Sequence, residues 1–378
     1  MKTVGIIAEY NPFHLGHLYQ IKKVRELYPD SLIIAIISTN FTERGEISLI
    51  NKWDKTRICL DNDIDLVIEL PTLYATQSAD IFAYGAIKIL NSFNIDTLVF
   101  GTETNQVDKL IELANIQLNN HDYDNLVKEY LDKGNNYPTA MSNALKEITD
   151  IKIDTPNDLL ALSYIKEIIK NKYPITPVGI KRTNDYHGKE IKSNIINASL
   201  IRELYYEDKD ISPYVPKSTL KYLKKGISID KAYNYLVYNI ISHKDTLHEY
   251  LTVDEGIENR LLKVLPQSHN WHELIMNIKT KRYTYNKINR MLIHLLLGIK
   301  KTDNNQEVYL RILGFNQKGR SHLQSIKAKL EYPVYTTYKP NLSKVFDLEY
   351  KSTYIYSLIT ANPELANYEY KSKPIIKN

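Results

Sequence analysis

The sequence has a single cysteine, Cys59, among its 378 residues. One thiol excludes an internal disulfide framework and any cysteine-based zinc site, and it fits a reducing compartment. Apolar runs are short as well, and none approaches the ~18 residues that a membrane-spanning helix needs. We therefore expect a cytoplasmic, globular protein, whose length and 43% hydrophobic residues suffice for two domains with real cores.

Glycine-rich phosphate loops are missing too. The 13 glycines form neither a Walker A motif ending in Gly-Lys-Ser/Thr nor a G-x-G-x-x-G trio. Kinases that transfer a γ-phosphate and enzymes that use NAD are therefore disfavoured.

The segment GIIAEYNPFHLGHLYQI, residues 5–21, places two histidines directly after a predicted strand. Its β-branched start is typical of a buried strand, Asn11-Pro12 indicates a turn, and the apolar residues that follow recur at helical spacing. A helix start offers free backbone N–H groups and a partial positive charge, which attract phosphate. His14 and His17 share one helix face, and Gly16 between them lets a ligand approach the backbone. The turn is predicted to bind a phosphate group.

Other interpretations of these histidines exist. A lone histidine near a helix start is usually a cap or a partly buried polar group. Two histidines that bracket a glycine after a strand favour the phosphate site instead. The spacing also suits metal chelation, but Glu9 is the sole other ligand type nearby in the sequence. We therefore predict no protein metal site.

The first half of the chain alternates strand and helix patterns. Buried strands are predicted at residues 31–38, 66–70 and 97–100, with helices at 49–61, 79–93 and 106–119 between them. This alternation predicts an α/β fold with a doubly wound parallel sheet. Ligands of such sheets bind beyond the carboxyl ends of the strands, where the histidine turn and Gly101 both lie.

Three further segments of this half carry candidate ligand groups. Asn157 follows Thr155-Pro156 at a predicted helix start. A short strand at 177–180 ends in Lys181-Arg182. The helix start at 197–199 has a serine hydroxyl and is followed by Arg202, which makes it a second phosphate seat.

The net charge of +5 is unevenly distributed. Residues 1–210 hold 23 Lys and Arg against 30 Asp and Glu, whereas residues 211–378 hold 26 against 14. We therefore divide the chain into a nucleotide-binding domain, 1–210, and a basic, mainly helical domain, 211–378. A basic surface on this scale suits nucleic acid, although a merely soluble surface is the alternative.

Within the basic half, one predicted helix combines an apolar face with a basic one. Lys287, Arg290 and His294 line the basic face together with Tyr283. Other candidates for binding the RNA backbone precede this helix or lie in a predicted basic turn at 314–323; they are Lys281, Arg282, Lys318 and Arg320.

Taken together, the motifs resemble a known family. A strand followed by H-x-G-H, with a later Ser–Arg helix start, is similar to the adenylyltransferase superfamily that includes class I aminoacyl-tRNA synthetases. The resemblance is closer to the bacterial tRNA(Met) cytidine acetate ligases and covers nearly the whole chain. It rests, in chain order, on GIIAEYNPFHLGH, NFTERGE, NKWDKTR, DLVIELP, ATQSADIFAYGA, VFGTET, TPNDLLALSY, IKRTNDYHG, ASLIR, KTKRYTYNKINRML and RILGFNQKGR.

The resemblance implies that acetate is activated by ATP to acetyl-adenylate and that the acetyl group passes to N4 of the wobble cytidine of elongator tRNA(Met). Mg²⁺ would accompany ATP. His14 and His17 would stabilise the α-phosphate transition state, Arg182 would pair with phosphate, and Ser199 and Arg202 would support the phosphate seat. The implied ATP contacts are Ile7, Ala8, Glu9, Tyr10, Asn11, Pro12, Phe13, His14, Leu15, Gly16, His17, Leu18, Tyr19, Gln20, Gly101, Asn157, Arg182 and Thr183.

Three positions depart from the family pattern. Thr39 stands where the family commonly has glycine, Glu43 stands where glutamine is expected, and Asn197 stands where the family has a hydroxyl residue upstream of Ser199. Two other functions are open on the sequence. One is an adenylyltransferase of a small phosphorylated metabolite, for which the basic half has no purpose, and the other is a non-catalytic RNA-binding protein.

Overall fold

The computed structural model describes residues 1–135, 137–153, 155–182, 194–304 and 306–378. Its strands are β1 (Thr3–Ala8), β2 (Leu32–Ser38), β3 (Leu66–Leu70), β4 (Thr97–Thr102), β5 (Thr176–Lys181), β6 (Leu310–Phe315), β7 (Val334–Tyr335) and β8 (Ile375–Ile376). Its helices are α1 (Leu15–Leu27), α2 (Lys52–Asp61), α3 (Thr72–Ala75), α4 (Ala79–Ser92), α5 (Val107–Asn119), α6 (His121–Asp132), α7 (Tyr137–Ile148), α8 (Pro156–Lys170), α9 (Ala198–Tyr206), α10 (Lys217–Tyr222), α11 (Tyr233–Ser242), α12 (Ile257–Val264), α13 (Trp271–Ile278), α14 (Tyr285–Leu297), α15 (Gln317–Ile326), α16 (Lys344–Ile359) and α17 (Glu364–Lys371).

The sheet has the strand order β5-β4-β1-β2-β3-β6-β7, with β8 also paired to β6. Strands β1 to β5 are mutually parallel, which confirms the doubly wound α/β fold. Successive strands are added on one side of β1 up to β3, and then on its other side from β4. The switch point between β1 and β4 is where ligands of such sheets bind.

Aliphatic composition explains the central strands. β2 and β3 are buried along their whole length, as strands covered by helices on both faces must be. The helices predicted at 79–93 and 106–119 are confirmed as α4 and α5 within a residue or two.

The sequence analysis missed the three strands that the C-terminal half adds to the sheet, β6, β7 and β8. β6 comes from the basic half and pairs antiparallel with β3. Arg311 interrupts its apolar run, yet this side chain is fully buried between the rings of Trp53 and Phe346. The C-terminal half is mainly helical, as expected, but it also extends the sheet of the first half. The division at residue 210 stays a prediction.

A buried charge cluster joins the two halves of the chain. Lys52 on α2 contacts Glu69 at 2.7 Å, Glu349 at 3.2 Å and Glu369 at 2.9 Å. All four side chains are completely inaccessible to solvent. Because an unpaired buried charge is costly, this cluster fixes α16 and α17 against the first half of the chain. Within the described ranges no helix has the length and apolar composition that crossing a membrane requires.

Candidate active site

The first turn joins β1 to α1 and carries both predicted histidines. His14 is the N-cap of α1, and its Nδ1 accepts a hydrogen bond from the Gly16 N–H at 2.9 Å. His17 Nδ1 in turn accepts from the backbone N–H of His14 at 3.2 Å. Two imidazoles therefore form the reciprocal capping box that Ser/Thr and Glu usually make. Since each Nδ1 is an acceptor, each neutral ring carries its proton on Nε2.

Burial keeps both imidazoles uncharged. It lowers the pKa of His14 to about 3, with further contributions from the charges of Arg182 and Arg202. Burial also holds the pKa of His17 well below its ordinary value, with smaller effects of His14 and Arg182. At neutral pH each ring thus offers one Nε2–H donor. No described residue takes up either donor.

Aromatic packing fixes the orientation of the two rings. The centroids of His14 and His17 are 3.8 Å apart, with 35° between the planes. Tyr10 lies edge-on to both His17 and Phe13, with centroids 4.8 Å apart in each case. Tyr10 and Phe13 are each only 1% exposed, so the donors are held in place before any ligand arrives.

The local structure requires glycine at position 16 for a reason that the sequence analysis did not predict. A Cβ built at this position would lie 2.7 Å from Cε1 and 3.0 Å from Nδ1 of His14. The glycine therefore makes room for the capping imidazole, in addition to any ligand contact predicted for it.

A second cluster lies at the carboxyl ends of β4 and β5, next to the switch point. The Arg182 N–H donates to Thr102 O at 2.9 Å, which places the side chain over Gly101, where a Cβ would meet Arg182 Cγ at 3.5 Å. Arg182 Nε lies 4.0 Å from the Glu103 carboxylate and has no hydrogen-bond partner in the described part of the chain. Burial lowers the pKa of Arg182, although Glu103 opposes this effect. The guanidinium group is thus available to a ligand.

The start of α8 completes this cluster. Asn157 donates a hydrogen bond to the Glu103 carboxylate. The buried Asp158 accepts from the backbone N–H groups of Glu103 and Thr104, at 3.2 Å each. Glu103 Oε2 and Thr104 Oγ1 are buried without a partner among the described residues, which favours a polar ligand here.

Sequence analysis missed Glu103 and Asp158. The available signals were their positions, since Glu103 lies two residues after Gly101 at a strand end and Asp158 is adjacent to Asn157. Thr183, predicted to contact ATP, lies outside the described residues.

In the phosphate site predicted at the start of α9, the Arg202 side chain already binds other groups of the protein. Arg202 donates to Asn11 O at 2.9 Å and pairs with the Glu46 carboxylate at 2.8 Å. Ser199 is exposed near it, with its Oγ 3.4 Å from the guanidinium group. The helix cap is Asn197, whose side chain accepts from Leu200 N–H at 2.8 Å, so the departure from the family pattern preserves the capping function. Arg202 therefore holds the first turn in place.

Lys55 on α2 is a site residue that sequence reasoning did not identify. Its buried Nζ donates to Glu9 O at 2.7 Å, Ser38 O at 3.0 Å and Thr39 O at 2.9 Å. These carbonyls end β1 and β2, so one ammonium group ties the first turn to the loop after β2. Thr39, which also departs from the family pattern, is fully buried, with its hydroxyl 3.2 Å from that of Thr72.

The described residues contain no group of three or more His, Cys, Asp or Glu side chains that could hold a metal ion. The carboxylates around the first turn are already engaged. Glu43 pairs with Arg290 and Glu46 pairs with Arg202, both at 2.8 Å. A divalent ion at this site would thus depend on ligand oxygens rather than on a protein cage.

The basic candidates of the second half do not form one surface. Lys281 and Arg282 are exposed, and the Arg282 guanidinium group forms an exposed ion pair with the Glu255 carboxylate at 2.8 Å. Lys287 lies over the Tyr283 ring at 4.5 Å. These residues occupy the start of α14 and the loop before it.

Arg290 and His294 lie on the inner side of α14 instead. Arg290 pairs with Glu43, and His294 is fully buried, with Nε2 3.1 Å from the Thr76 hydroxyl and Nδ1 2.9 Å from that of Thr252. The predicted basic face of this helix is therefore wrong at His294. A hydrophobic periodicity cannot distinguish a buried, hydrogen-bonded histidine from an exposed one.

The predicted basic turn at 314–323 is wrong as well. These residues form the end of β6 and the start of α15, on which Lys318 and Arg320 are exposed. Asn316 binds the Asp65 carboxylate at 2.7 Å, and Asp65 precedes β3. This helix start lies at the amino ends of the parallel strands, about 17 Å from their carboxyl ends for a strand of five residues.

The chain is similar to a known protein family over nearly its whole length. A family model described as HIGH Nucleotidyl Transferase matches residues 1–371. The chain belongs to this family. The family name refers to its histidine motif, which in this chain is the His14–His17 turn.

Curated relatives in the HIGH nucleotidyl transferase family share one name. A tRNA(Met) cytidine acetate ligase of Thermoanaerobacter sp. (strain X514) is 38% identical over 100% of both chains. That of Caldicellulosiruptor saccharolyticus is 35% identical over 95% of this chain and 94% of its own length. The crystal structure of Thermotoga maritima TmcAL bound with alpha-thio ATP superimposes with a TM-score of 0.90 at 27% identity, covering 100% of this chain and 99% of that one.

Proposed function

We propose that this protein is an ATP-dependent ligase that activates acetate as acetyl-adenylate and transfers the acetyl group to N4 of the wobble cytidine of elongator tRNA(Met). The observation that carries the proposal is the pair of neutral imidazoles at the β1/β4 switch point, with both Nε2–H donors unused by the described residues. The names of the relatives and the ATP analogue bound to the T. maritima protein support it.

In the first step, an acetate oxygen attacks the α-phosphorus of ATP and pyrophosphate leaves. Negative charge grows on the equatorial oxygens of the five-coordinate transition state, which prearranged donors stabilise without reorganisation. His14 and His17 would provide these donors, and Arg182 would pair with a phosphate or the departing pyrophosphate. Mg²⁺ would neutralise phosphate charge on ATP.

The remainder of ATP would occupy the cluster at the end of β4. Gly101 lets the ligand approach the backbone, and Asn157 and Glu103 supply polar groups. Arg202 and Ser199 would support the first turn from the side of α9, since Arg202 binds Asn11 O.

In the second step, the cytidine N4 amine attacks the acetyl carbon, a proton leaves the amine, and AMP departs. The anticodon must then reach the carboxyl ends of the strands. Lys281, Arg282 and Lys287 would contact the RNA backbone, because they lie at the start of α14 or just before it, and Arg290 of the same helix contacts Glu43 in the loop after β2. Arg290, Lys318 and Arg320 stay predictions as tRNA contacts, and so does the cytoplasmic location.

The test combines acetate-dependent ATP–pyrophosphate exchange with mass spectrometry of tRNA nucleosides. We expect the wild-type protein to exchange only with acetate and to form N4-acetylcytidine. His14→Ala should lower turnover by about 10²-fold or more, because one transition-state donor is lost. Thermal melting of the variant checks that the fold is intact.

The outcomes separate the alternatives. Exchange with a phosphorylated metabolite in place of acetate would indicate the small-molecule adenylyltransferase, and tRNA binding without exchange would indicate the RNA-binding protein. Wild-type acetyl-adenylate formation by His14→Ala would refute the role of this residue.

A further inference from the structure

A hairpin after β2 lies between the first turn and the C-terminal half. We call residues 39–50 the β2 hairpin. Phe41 pairs antiparallel with Ile47, and the chain reverses between Thr42 and Gly45, whose φ of +72° requires the left-handed conformation that glycine adopts easily.

The tip of the β2 hairpin is fixed by α14. Arg290 donates to the Glu43 carboxylate at 2.8 Å and to Glu43 O at 3.1 Å. Asn289 donates to Arg44 O at 2.8 Å and is itself oriented by the Trp271 indole N–H at 2.7 Å. A Cβ at Gly45 would lie only 2.7 Å from the Arg290 backbone nitrogen, so the hairpin lies directly on the helix backbone.

The same hairpin binds the first turn. The Glu43 N–H donates to Glu9 Oε1 at 2.6 Å. The buried Asn11 side chain donates to Ile47 O at 3.2 Å and accepts from the Leu49 N–H at 2.9 Å. Arg290, Glu43 and Glu9 thus form a continuous chain of contacts that ends at the residue after β1.

The charges explain why this series of contacts needs Arg290. Glu9, Glu43 and Glu46 lie close together, and burial raises the pKa of Glu9 to about 7, with additional effects of the other two carboxylates. Arg290 is the cation paired with Glu43, and both side chains are largely buried, at 15% and 23% exposed. Without it, the Glu43 carboxylate would be left unpaired and the β2 hairpin would lose this ion pair with α14, which would act on the backbone that carries His14 and His17.

We infer that Arg290 is a positioning residue of the adenylation site, which acts through Glu43 and the β2 hairpin on the histidine turn. This inference rests on the proposed function for its chemical readout. The sequence pattern placed Arg290 among the tRNA contacts, and the two roles predict opposite results in binding measurements.

The experiment compares Arg290→Met and Glu43→Gln with the wild-type, full-length protein. Calorimetry gives the Kd of α,β-methylene ATP, and filter binding gives the Kd of unmodified elongator tRNA(Met). Acetylation kinetics at saturating acetate and tRNA give kcat and the KM for ATP. Lys281→Met serves as the comparison variant for tRNA contact, and Lys263→Met, on the exposed face of α12, controls for the loss of one positive charge.

We expect both hairpin variants to lose about tenfold or more in ATP-analogue affinity or in kcat, since small displacements of a reacting group cost this much. Their tRNA Kd should stay within about twofold of wild type, whereas Lys281→Met should weaken tRNA binding alone. Lys263→Met should change neither. The opposite result for Arg290→Met, weaker tRNA binding with unchanged ATP parameters, overturns the inference.

Two further results remain decisive. If circular dichroism shows that Arg290→Met does not fold, Glu43→Gln alone tests the inference. This variant keeps the side-chain volume and the hydrogen bond from the backbone N–H of residue 43 to Glu9. If the wild-type protein makes no acetylated product, the proposed function fails, and the Kd of α,β-methylene ATP still tests whether Arg290 positions the nucleotide site.

Discussion

At the residue scale, the first turn shows how one pair of side chains can serve structure and chemistry together. His14 and His17 satisfy the first backbone N–H groups of α1 through Nδ1, and this leaves Nε2–H free on each ring. An ionised aspartate would cap the helix equally well but would not offer a donor beyond it. The capping bonds therefore set the tautomer that phosphate recognition needs.

Gly101 and Gly16 are expected to respond differently to substitution by alanine. The three atoms nearest to a Cβ at Gly101 all belong to Arg182 and are 3.5 Å or more away, so Gly101→Ala should keep the melting temperature of the wild type. It should nevertheless raise the Kd for ATP at least about tenfold, a loss of about 1.4 kcal/mol, because the methyl group occupies space predicted for the nucleotide.

Gly16→Ala is the matched variant, since its Cβ would collide with the His14 ring. It should lower kcat by displacing a catalytic group. Calorimetry and steady-state kinetics measure both effects, and an unchanged ATP affinity of Gly101→Ala would refute the nucleotide contact.

At the element scale, the site is assembled from loops that other elements hold together. The loops after β1, β2 and β4 provide its walls, and α2, α8 and α9 supply the side chains that fix them. Asp158 binds two backbone N–H groups of the loop after β4, Arg202 binds the first turn, and Lys55 binds the ends of β1 and β2. Such support is what keeps catalytic groups within their productive geometry.

Lys55→Met should therefore affect both stability and ATP binding. It leaves three buried carbonyl oxygens without their donor, at a cost of about 1 kcal/mol each, or about 3 kcal/mol of unfolding free energy. The KM for ATP should rise, because the first turn loses its connection to β2. Urea denaturation and ATP-dependent kinetics measure the two effects.

Lys52→Met provides the comparison, because Lys52 is equally buried three residues away but its Nζ pairs with Glu69, Glu349 and Glu369 instead of the carbonyls that Lys55 binds. It should destabilise the protein without changing the KM for ATP of the folded fraction. A KM for ATP that is unchanged in Lys55→Met would contradict the assigned role.

At the scale of the whole molecule, the two halves share one core. β6 extends the sheet, the Lys52 cluster fixes α16 and α17, and α14 supports the β2 hairpin. His294 of α14 belongs to the same junction, since it lies between Thr76 of the first half and Thr252 of the second. The acceptance of tRNA by one half and the activation of acetate by the other would therefore occur on a continuous scaffold.

His294 should make this junction sensitive to acid. Burial lowers its pKa to about 4, so the folded protein binds fewer protons than the unfolded chain between pH 6.5 and 4. The stability that it contributes is complete above pH 6.5 and is lost as the pH falls towards 4, by about 3 kcal/mol. Urea denaturation from pH 8 to 4.5 should show this loss for the wild type.

His294→Gln isolates the contribution, since glutamine does not titrate. At pH 8 the variant differs from the wild type only by lost packing and hydrogen bonds. On acidification the difference between the two proteins should shrink, and a difference that stays constant with pH would contradict the assignment.

The sequence by itself determined much of the local structure and predicted which residues meet at the proposed nucleotide site. Periodicity and aliphatic runs predicted β1 to β5 and the helices α1, α2, α4, α5, α8, α9 and α14, because these patterns reflect neighbours a few residues apart. The loops that follow parallel strands meet at one edge of the sheet, so His14, Gly101, Asn157 and Arg182 could be grouped before any coordinates existed.

Only the tertiary structure decided which charges are free. Arg290, Arg202 and His294 look alike in a sequence, yet each is paired or buried by a partner more than 150 residues away or on another element. The antiparallel strand β6 has Arg311 at its second position. Burial of this arginine depends on the Glu369 carboxylate and on the aromatic rings around it. Ion pairs and buried polar contacts form between distant segments, and their partners are set by packing of the whole chain rather than by local periodicity.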